Sequence, residues 1–419
     1  MTNRDLKAES RRQFLKFLSG SPLLAFPGMT VFGADGPKPR PKPTDPIVWA
    51  PLDPDALIAS PKDAINVFDF EPVCRKNTPP AHFGYMASGI DDEVTLRANR
   101  EGFLKFQVRP RRLRDVSKVD MSVELFGAKY DTPIIIAPTG GNMFMHPDGE
   151  VAVARAARPG NHLHILSASA NYTVEEVTAA RGAPIWFQLY VSPDWGVGMA
   201  LAKRAEAAGC PVIAVTVDRV AGRNQETMFR LRLEDARECG ACHKPGVAER
   251  ALRRRNYQGI DLSRLKSWDA SNLTWDFLKQ LRDATKMKIL VKGIVTHEDA
   301  RLCVENGMDG LIVSNHGARG EDNGRSTIDA LPEIVDAVGG RIPVLVDSGF
   351  RRGTDIVKAL AIGANAVCVG RPYLWGLGAF GQPGVERVLE LLRIELQAAM
   401  QQCGVKNLKE ITPALVRRA

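Results

Sequence analysis

The sequence predicts an α/β protein built as a (β/α)8 TIM barrel, and two observations carry that prediction. From Pro133 onward, eight short apolar runs alternate with segments of helical period, and polar residues gather where those runs end. Strands of a parallel barrel are buried on both faces, so they read as near-continuous apolar runs instead of alternating ones. Eight strand–helix alternations are what a sheet needs to close on itself with helices outside.

The first four runs are IIIAPT (Ile134–Thr139), HILSAS (His164–Ser169), IWFQLYV (Ile185–Val191) and VIAVTVD (Val212–Asp218). After a long interruption come KILVKGI (Lys288–Ile294), GLIVSNH (Gly310–His316), PVLVDSG (Pro343–Gly349) and AVCVGRP (Ala366–Pro372). Between them, WGVGMALAKRAEAAG, THEDARLCVENG and TDIVKALAIG are apolar on one helical face and stop at glycine, as helices packed outside a barrel do.

The chain ahead of the barrel reads differently. SRRQFLK (Ser10–Lys16) has the form of a twin-arginine export signal, followed by the apolar stretch Phe17 to Phe32 and the small pair Gly33-Ala34. That stretch is short for a membrane span and is broken by Gly20, Pro22, Pro27 and Gly28. GPKPRPKPTDP (Gly36–Pro46) is an extended spacer. The expected organisation is a signal at 1–34, a proline-rich linker at 35–60 and the barrel at 61–419, with 219–288 as a lid or insertion between strands four and five. Export by this route carries folded proteins, so a periplasmic or other extracytoplasmic location is expected.

Bulk composition excludes little but helps. The 419 residues are 44% hydrophobic and 25% charged, with a net charge of +8, ordinary for a soluble domain with a full core. The basic runs lack interleaved aromatics and no nucleic-acid motif accompanies them, so no nucleic-acid partner is expected. Seven cysteines are too few for a disulfide scaffold in a chain of this length.

The polar residues at the strand ends are Thr139, Ser167, Gln188, Tyr190, Thr216, Asp218, Lys292, Ser314, His316, Asp347, Gly370 and Arg371. They share the face on which barrel enzymes build their sites. Gly370-Arg371 after the eighth strand and the Asp347–Gly353 segment after the seventh occupy the usual phosphate position of such barrels. Lys292 would set a fixed positive charge in the mouth, suited to a ligand that becomes anionic on reduction. His316 and Arg319, three apart in SNHGAR, pair a proton acceptor with a carboxylate clamp, and Asp218 could orient the histidine.

SNHGAR (Ser314–Arg319) followed by TIDALPEI (Thr327–Ile334) resembles the FMN-dependent L-2-hydroxy acid oxidases and dehydrogenases, a family that includes glycolate oxidase, L-lactate dehydrogenase, mandelate dehydrogenase and flavocytochrome b2. The likeness runs through YMASGIDDEVTLRAN, IIIAPTG, HPDGE, LSASANYTVEEV, WFQLYV, ILVKGIVTHEDA and DSGFRRGTDIVKALAIGA to VGRP, from about Phe83 to Ile411. It implies FMN as cofactor, with Pro138, Thr139, Gly140, Ser167, Gln188, Thr216, Lys292 and Ser314 on the ring and ribityl chain. It implies Asp347, Arg351, Gly370 and Arg371 on ribityl and phosphate, Tyr85 and Arg319 on the substrate carboxylate, and Tyr190 on its hydroxyl. His316, paired with Asp218, would take a proton, from Cα or from the hydroxyl. A small 2-hydroxy acid is the implied substrate, oxygen, quinone or a cytochrome the implied acceptor, and a homotetramer the implied assembly.

Three departures bear on substrate and acceptor. Ser169 stands where the family often carries a tryptophan lining the substrate pocket. RVAGRNQE (Arg219–Glu226) differs from the family's usual segment after strand four, leaving Arg223 as a displaced counterpart of a second carboxylate-binding arginine. Gly140 stands where many oxidases have alanine, which leans toward a dehydrogenase. Another FMN-barrel activity, such as a decarboxylating monooxygenase or a peptide-modifying oxidase, or a catalytically altered flavin-binding redox protein, stays open at this level.

One motif falls outside this pattern. Cys239, Cys242 and His243 in ECGACHK form C-x-x-C-H within the interruption. Covalent haem c, a disulfide or redox pair, a metal site short of one ligand unless Cys210 approaches, and a structural loop are its four readings.

Overall fold

The structure is a computed structural model that describes residues 57–237, 251 and 254–419. The expected signal, most of the linker and the Cys239–Cys242–His243 motif lie outside the described residues.

The eight expected runs form eight parallel strands: β1 (Ile134–Ile136), β2 (Ile165–Ser167), β3 (Trp186–Tyr190), β4 (Val212–Thr216), β5 (Lys288–Ile294), β6 (Gly310–Val313), β7 (Val344–Val346) and β8 (Ala366–Val369). Their order around the sheet is β1-β8-β7-β6-β5-β4-β3-β2, and a parallel bridge between Ile136 and His164 joins β1 to β2 and closes the barrel. Most strands stop before their run does, so the polar tails Ala137–Thr139, Val217-Asp218 and Asn315-His316 are loops at the mouth.

Strand alternation sorts the core into two layers. Ile135, Ile165, Trp186, Ala214, Leu290, Ile312, Leu345 and Ala366 fill the barrel interior. Ile134, Ile136, Leu166, Phe187, Leu189, Ile213, Val215 and Val313 pack outward against the helices. A hairpin of Val123–Leu125 and Ala128–Tyr130 contributes Leu125 and Tyr130 to the interior cluster, with Phe126 5.5 Å from Trp186. Its contacts place it at the amino ends of the strands, opposite the polar rim.

The outer helices are α1 (Gly149–Ala157), α2 (Val174–Arg181), α3 (Trp195–Ala207), α4 (Trp275–Ala284), α5 (His297–Glu305), α6 (Thr327–Val338), α7 (Gly353–Ile362), α8 (Arg371–Phe380) and α9 (Gln382–Cys403). Local chemistry sets their ends. Thr173 and Glu176 form a capping box at the start of α2, and Gly182 closes that helix at φ +69°. Among the described residues no helix is long and apolar enough to cross a membrane.

Three features position the site. Register sets Ser167 beside Gln188, Tyr190 beside Thr216, and Thr216 beside Lys292. A bulge follows Lys292 at Gly293, where φ is +116° and an added Cβ would sit 2.8 Å from Asp218 Cβ, so only glycine lets the loop after β4 come this close. Over the mouth, helix Pro80–Ala87 packs on helix Glu226–Leu233 so closely that a Cβ on Gly84 would lie 3.1 Å from Met228 Cα.

Candidate active site

A cleft enclosing about 780 Å³ of empty space, its open mouth included, lies at the carboxyl ends of the strands. Tyr85, Pro138, Thr139, Gly140, Tyr190, Lys292, His316, Arg319, Asp347, Arg351, Gly370 and Arg371 all line it. Ser167, Gln188, Thr216 and Ser314 are buried at the same strand ends. Residues far apart in the chain thus converge because the barrel brings every strand end to one rim.

His316 sits in a run of left-handed backbone, with φ +58° at His316, +65° at Gly317 and +64° at Ala318. Such backbone in non-glycine residues costs free energy and is held by its surroundings. Here it turns the imidazole between two partners. Nδ1 lies 2.6 Å from Asp218 Oδ1, and Nε2 lies 3.0 Å from the Tyr190 hydroxyl. A carboxylate accepts only, so Nδ1 carries the proton and Nε2 presents its lone pair to the cleft. Burial pushes the His316 pKa below its ordinary value, with Asp218 opposing and Lys292 adding to the shift. Burial alone would raise Asp218, but His316 and Lys292 outweigh it and hold the carboxyl below its usual range.

Two hydrogen-bonded runs of buried side chains cross the strand ends. Ser167 Oγ donates to Gln188 Oε1 at 2.9 Å, and Gln188 Nε2 donates to Thr216 Oγ1 at 2.8 Å. Lys292 Nζ donates to Ser314 Oγ at 2.8 Å, and Ser314 Oγ donates to Asp347 Oδ2 at 2.9 Å. Burial would lower the Lys292 pKa, but Asp347 at 3.3 Å and Asp218 at 3.9 Å reverse the shift, so the ammonium stays charged.

The other end of the cleft is built from backbone. Ser348 and Gly349 adopt φ +75° and +90°, and a Cβ on Gly349 would sit 2.0 Å from the Asn99 carbonyl oxygen. Helix α8 begins at Arg371 with no side chain capping its amino end, so its dipole and the first-turn amides other than that of Pro372, which has none, face the anion position. The donor set fits the FMN that the sequence resemblance implies, with Lys292 as a buried cation for the ring and a helix amino terminus beside Arg351 for the phosphate.

The structure adjusts several expectations. Arg371 lines the cleft, but its guanidinium donates to the carbonyls of Met86, Ser88 and Gly317, so it ties the loops of the mouth together in addition to any phosphate contact. Arg351 donates to the Phe350 carbonyl and lies 4.6 Å over Trp375. Ser169 is 4% exposed, its Oγ has no hydrogen-bond partner, and a Cβ on Gly140 would meet its Cβ at 2.7 Å. The two departures Gly140 and Ser169 are therefore one packing feature.

At the end of the cleft expected to hold the substrate carboxylate, Arg319 Nη1 donates to the carbonyls of Tyr85 and Ser88 at 2.6 and 3.0 Å, and its Cζ lies 4.8 Å over the Tyr85 ring. Arg223, the expected displaced counterpart of a second carboxylate-binding arginine, donates from Nη1 to the Arg319 carbonyl oxygen at 3.2 Å. The neighbour of the Arg319 guanidinium is Gln225, whose amide oxygen, turned toward it, accepts from Nη1 at 3.3 Å and Nη2 at 2.9 Å. Gln225 was not among the expected residues, and neither was Tyr373, which hydrogen-bonds Thr139 and donates to the Ala137 carbonyl.

The model of the family described as FMN-dependent dehydrogenase matches residues 74–418. Glycolate oxidase 3 of Arabidopsis thaliana is 42% identical over 361 residues, covering 83% of this chain and 94% of that protein. L-lactate oxidase of Lysinibacillus sphaericus (strain C3-41) is 40% identical over 358 residues, covering 82% of this chain and 91% of that protein. Among solved structures, a soluble mutant of the membrane-associated (S)-mandelate dehydrogenase from Pseudomonas putida matches with a TM-score of 0.77 and 34% identity, over 84% of this chain and 99% of that one.

Proposed function

The chain belongs to the FMN-dependent dehydrogenase family, and from that premise we propose that it oxidises L-2-hydroxy acids to 2-oxo acids with FMN as its cofactor. The observation that carries the proposal is the His316 Nε2 lone pair, held by Asp218 and facing Tyr190 in the same cleft as Arg319. A base beside a carboxylate clamp is what removal of a proton from a 2-hydroxy acid requires.

Oxidation takes two electrons and two protons from the hydroxy-bearing centre, and FMN, when bound, would supply the acceptor for both electrons and one proton, leaving the other proton to the chain's own base. Arg319 holds the substrate carboxylate, oriented by the two carbonyls and by Gln225. The Tyr190 hydroxyl orients the substrate oxygen toward Nε2. His316 accepts a proton there, and Asp218 stabilises the imidazolium that forms. Lys292 keeps a positive charge beneath the cleft throughout. The test is anaerobic reduction of the purified flavoprotein by a panel of 2-hydroxy acids, with one 2-oxo acid formed per flavin reduced. Absence of flavin, or a reduced flavin without 2-oxo acid, would refute the reading.

We extend the reading to a dehydrogenase that passes electrons to a quinone or cytochrome in preference to oxygen. Gly140 against Ser169 supports it, because the pair leaves no space for the alanine found in many oxidases. Rapid reoxidation of the reduced protein by air would refute it. We also propose export through the twin-arginine motif, supported by SRRQFLK alone. Substituting lysine at both Arg11 and Arg12 should retain the protein in the cytoplasmic fraction; unchanged fractionation would refute export by this route. A homotetramer, checked by light scattering, completes the proposal.

A further inference from the structure

Beside the cleft, the segment after β4 and its neighbours bring up three arginines beyond Arg319, more positive charge than a single substrate carboxylate needs. Arg219 stands with Cζ 5.2 Å over the Tyr190 ring. Arg223 reaches the Arg319 carbonyl oxygen. Arg254 stands with Cζ 5.1 Å over Trp268, whose ring meets Tyr257 edge-on at 5.4 Å.

Carboxylates to balance them are scarce. Arg219 has Asp269 at 2.8 Å. Arg223, Arg254 and Arg319 have none within salt-bridge distance among the described residues. Of the other nearby acids, Asp218 pairs with His316 and Lys292, Asp347 with Lys292 and Glu226 with Arg230, while Glu321 accepts from Asn323.

The potential reaches the tyrosines of the cleft. Burial would raise the Tyr85 phenol, yet Arg319, Arg254, Arg223 and Arg219 together bring it below its ordinary value. Burial, together with Arg223 and Arg219, lowers the Arg319 pKa to about 10, although Tyr85 and Tyr190 oppose the shift. Like charges gathered around a desolvated cleft are unfavourable until an anion arrives between them.

We propose that the substrate is a 2-hydroxy acid whose side chain ends in a second carboxylate, the first carboxylate held by Arg319 and the second by Arg223 and Arg254. This rests on the reading that the cleft oxidises 2-hydroxy acids, and it adds the substrate class. Arginine forks bind carboxylates in two-point geometry, which a second carboxylate on the substrate would use.

The experiment compares L-2-hydroxysuccinate with L-2-hydroxybutyrate, which differ in carrying a carboxylate or a methyl group at the same position. With the FMN-loaded enzyme under anaerobic conditions, the dicarboxylate should reduce the flavin with a second-order rate constant at least about tenfold higher. Arg223→Gln and Arg254→Gln should each bring that ratio toward one. Calorimetric binding of the matching 2-oxo acids, oxosuccinate and 2-oxobutyrate, should show the same preference and the same loss. Equal or better reduction by the monocarboxylate, or a preference untouched by both substitutions, would overturn the inference. If neither acid, nor any other 2-hydroxy acid, reduces the flavin, the underlying reading falls, and the binding comparison still decides whether these arginines select a second carboxylate.

Discussion

His316 Nδ1 and Asp218 Oδ1 lie 2.6 Å apart, and this contact fixes which nitrogen of the imidazole faces the cleft. The two residues come from the loops after β6 and β4 and are 98 positions apart in the chain. The bulge at Gly293 lets the Asp218 loop approach, and the left-handed turn at His316–Ala318 aims the ring.

A pH dependence follows from that pair. Burial depresses the His316 pKa, so the neutral, proton-accepting form persists below the ordinary histidine pKa of about 6.5. The acid limb of kcat/KM should lie below that value. Asp218→Asn removes the group that raises the imidazole pKa, so the limb should move to still lower pH while the plateau falls by roughly 10²- to 10⁴-fold. A pH–rate profile of both proteins checks this; a limb above neutrality in the wild type would contradict it.

Lys292 is the only cation within 4 Å of Asp218 and Asp347 among the described residues, His316 aside. Lys292→Met leaves those acids buried without it, and breaking such a pair typically costs about 3–5 kcal/mol. Urea unfolding should show a loss of that order, with weaker FMN retention on gel filtration. A variant as stable as the wild type would mean that the two carboxylates find other partners.

Gly349→Ala should damage the end of the cleft read as the phosphate site. The position has φ +90°, and a Cβ there would collide with the Asn99 carbonyl oxygen at 2.0 Å. Strain at such a position costs on the order of 1–3 kcal/mol before the clash is counted. Thermal unfolding and flavin content should both fall. Full flavin occupancy at wild-type stability would show that the loop adapts.

Tyr190→Phe removes the hydroxyl 3.0 Å from His316 Nε2 and keeps the ring. Loss of a hydrogen bond of this kind should lower kcat/KM by roughly ten- to a hundredfold with little change in stability. Steady-state kinetics beside a melting curve separates the two effects.

Much of this was legible in the sequence, for a physical reason. Strands buried on both faces leave long apolar runs, and the barrel sends their polar tails to one rim, so Lys292, His316 and Asp347 could be placed by counting strands. What depended on approach between distant segments could not. Gln225 beside Arg319, Asn99 beneath Gly349 and Gly140 against Ser169 are long-range contacts with no local pattern. The resemblance offered Arg223 as a displaced counterpart of a second carboxylate-binding arginine; that the turn also carries its Nη1 to the Arg319 carbonyl oxygen and brings Gln225 to the Arg319 guanidinium had no local signal. The expected phosphate fork at Arg371 has a further task because the carbonyls it ties belong to loops read separately.

The central claim is that His316 is the base of an FMN-dependent 2-hydroxy-acid oxidation. The measurement that tests it most directly is anaerobic single-turnover flavin reduction by a 2-hydroxy acid in the wild type and in His316→Asn, each with its full complement of FMN. The account predicts rapid loss of the oxidised flavin band in the wild type and a rate at least about 10²-fold lower in the variant. Equal rates in the two proteins would contradict it.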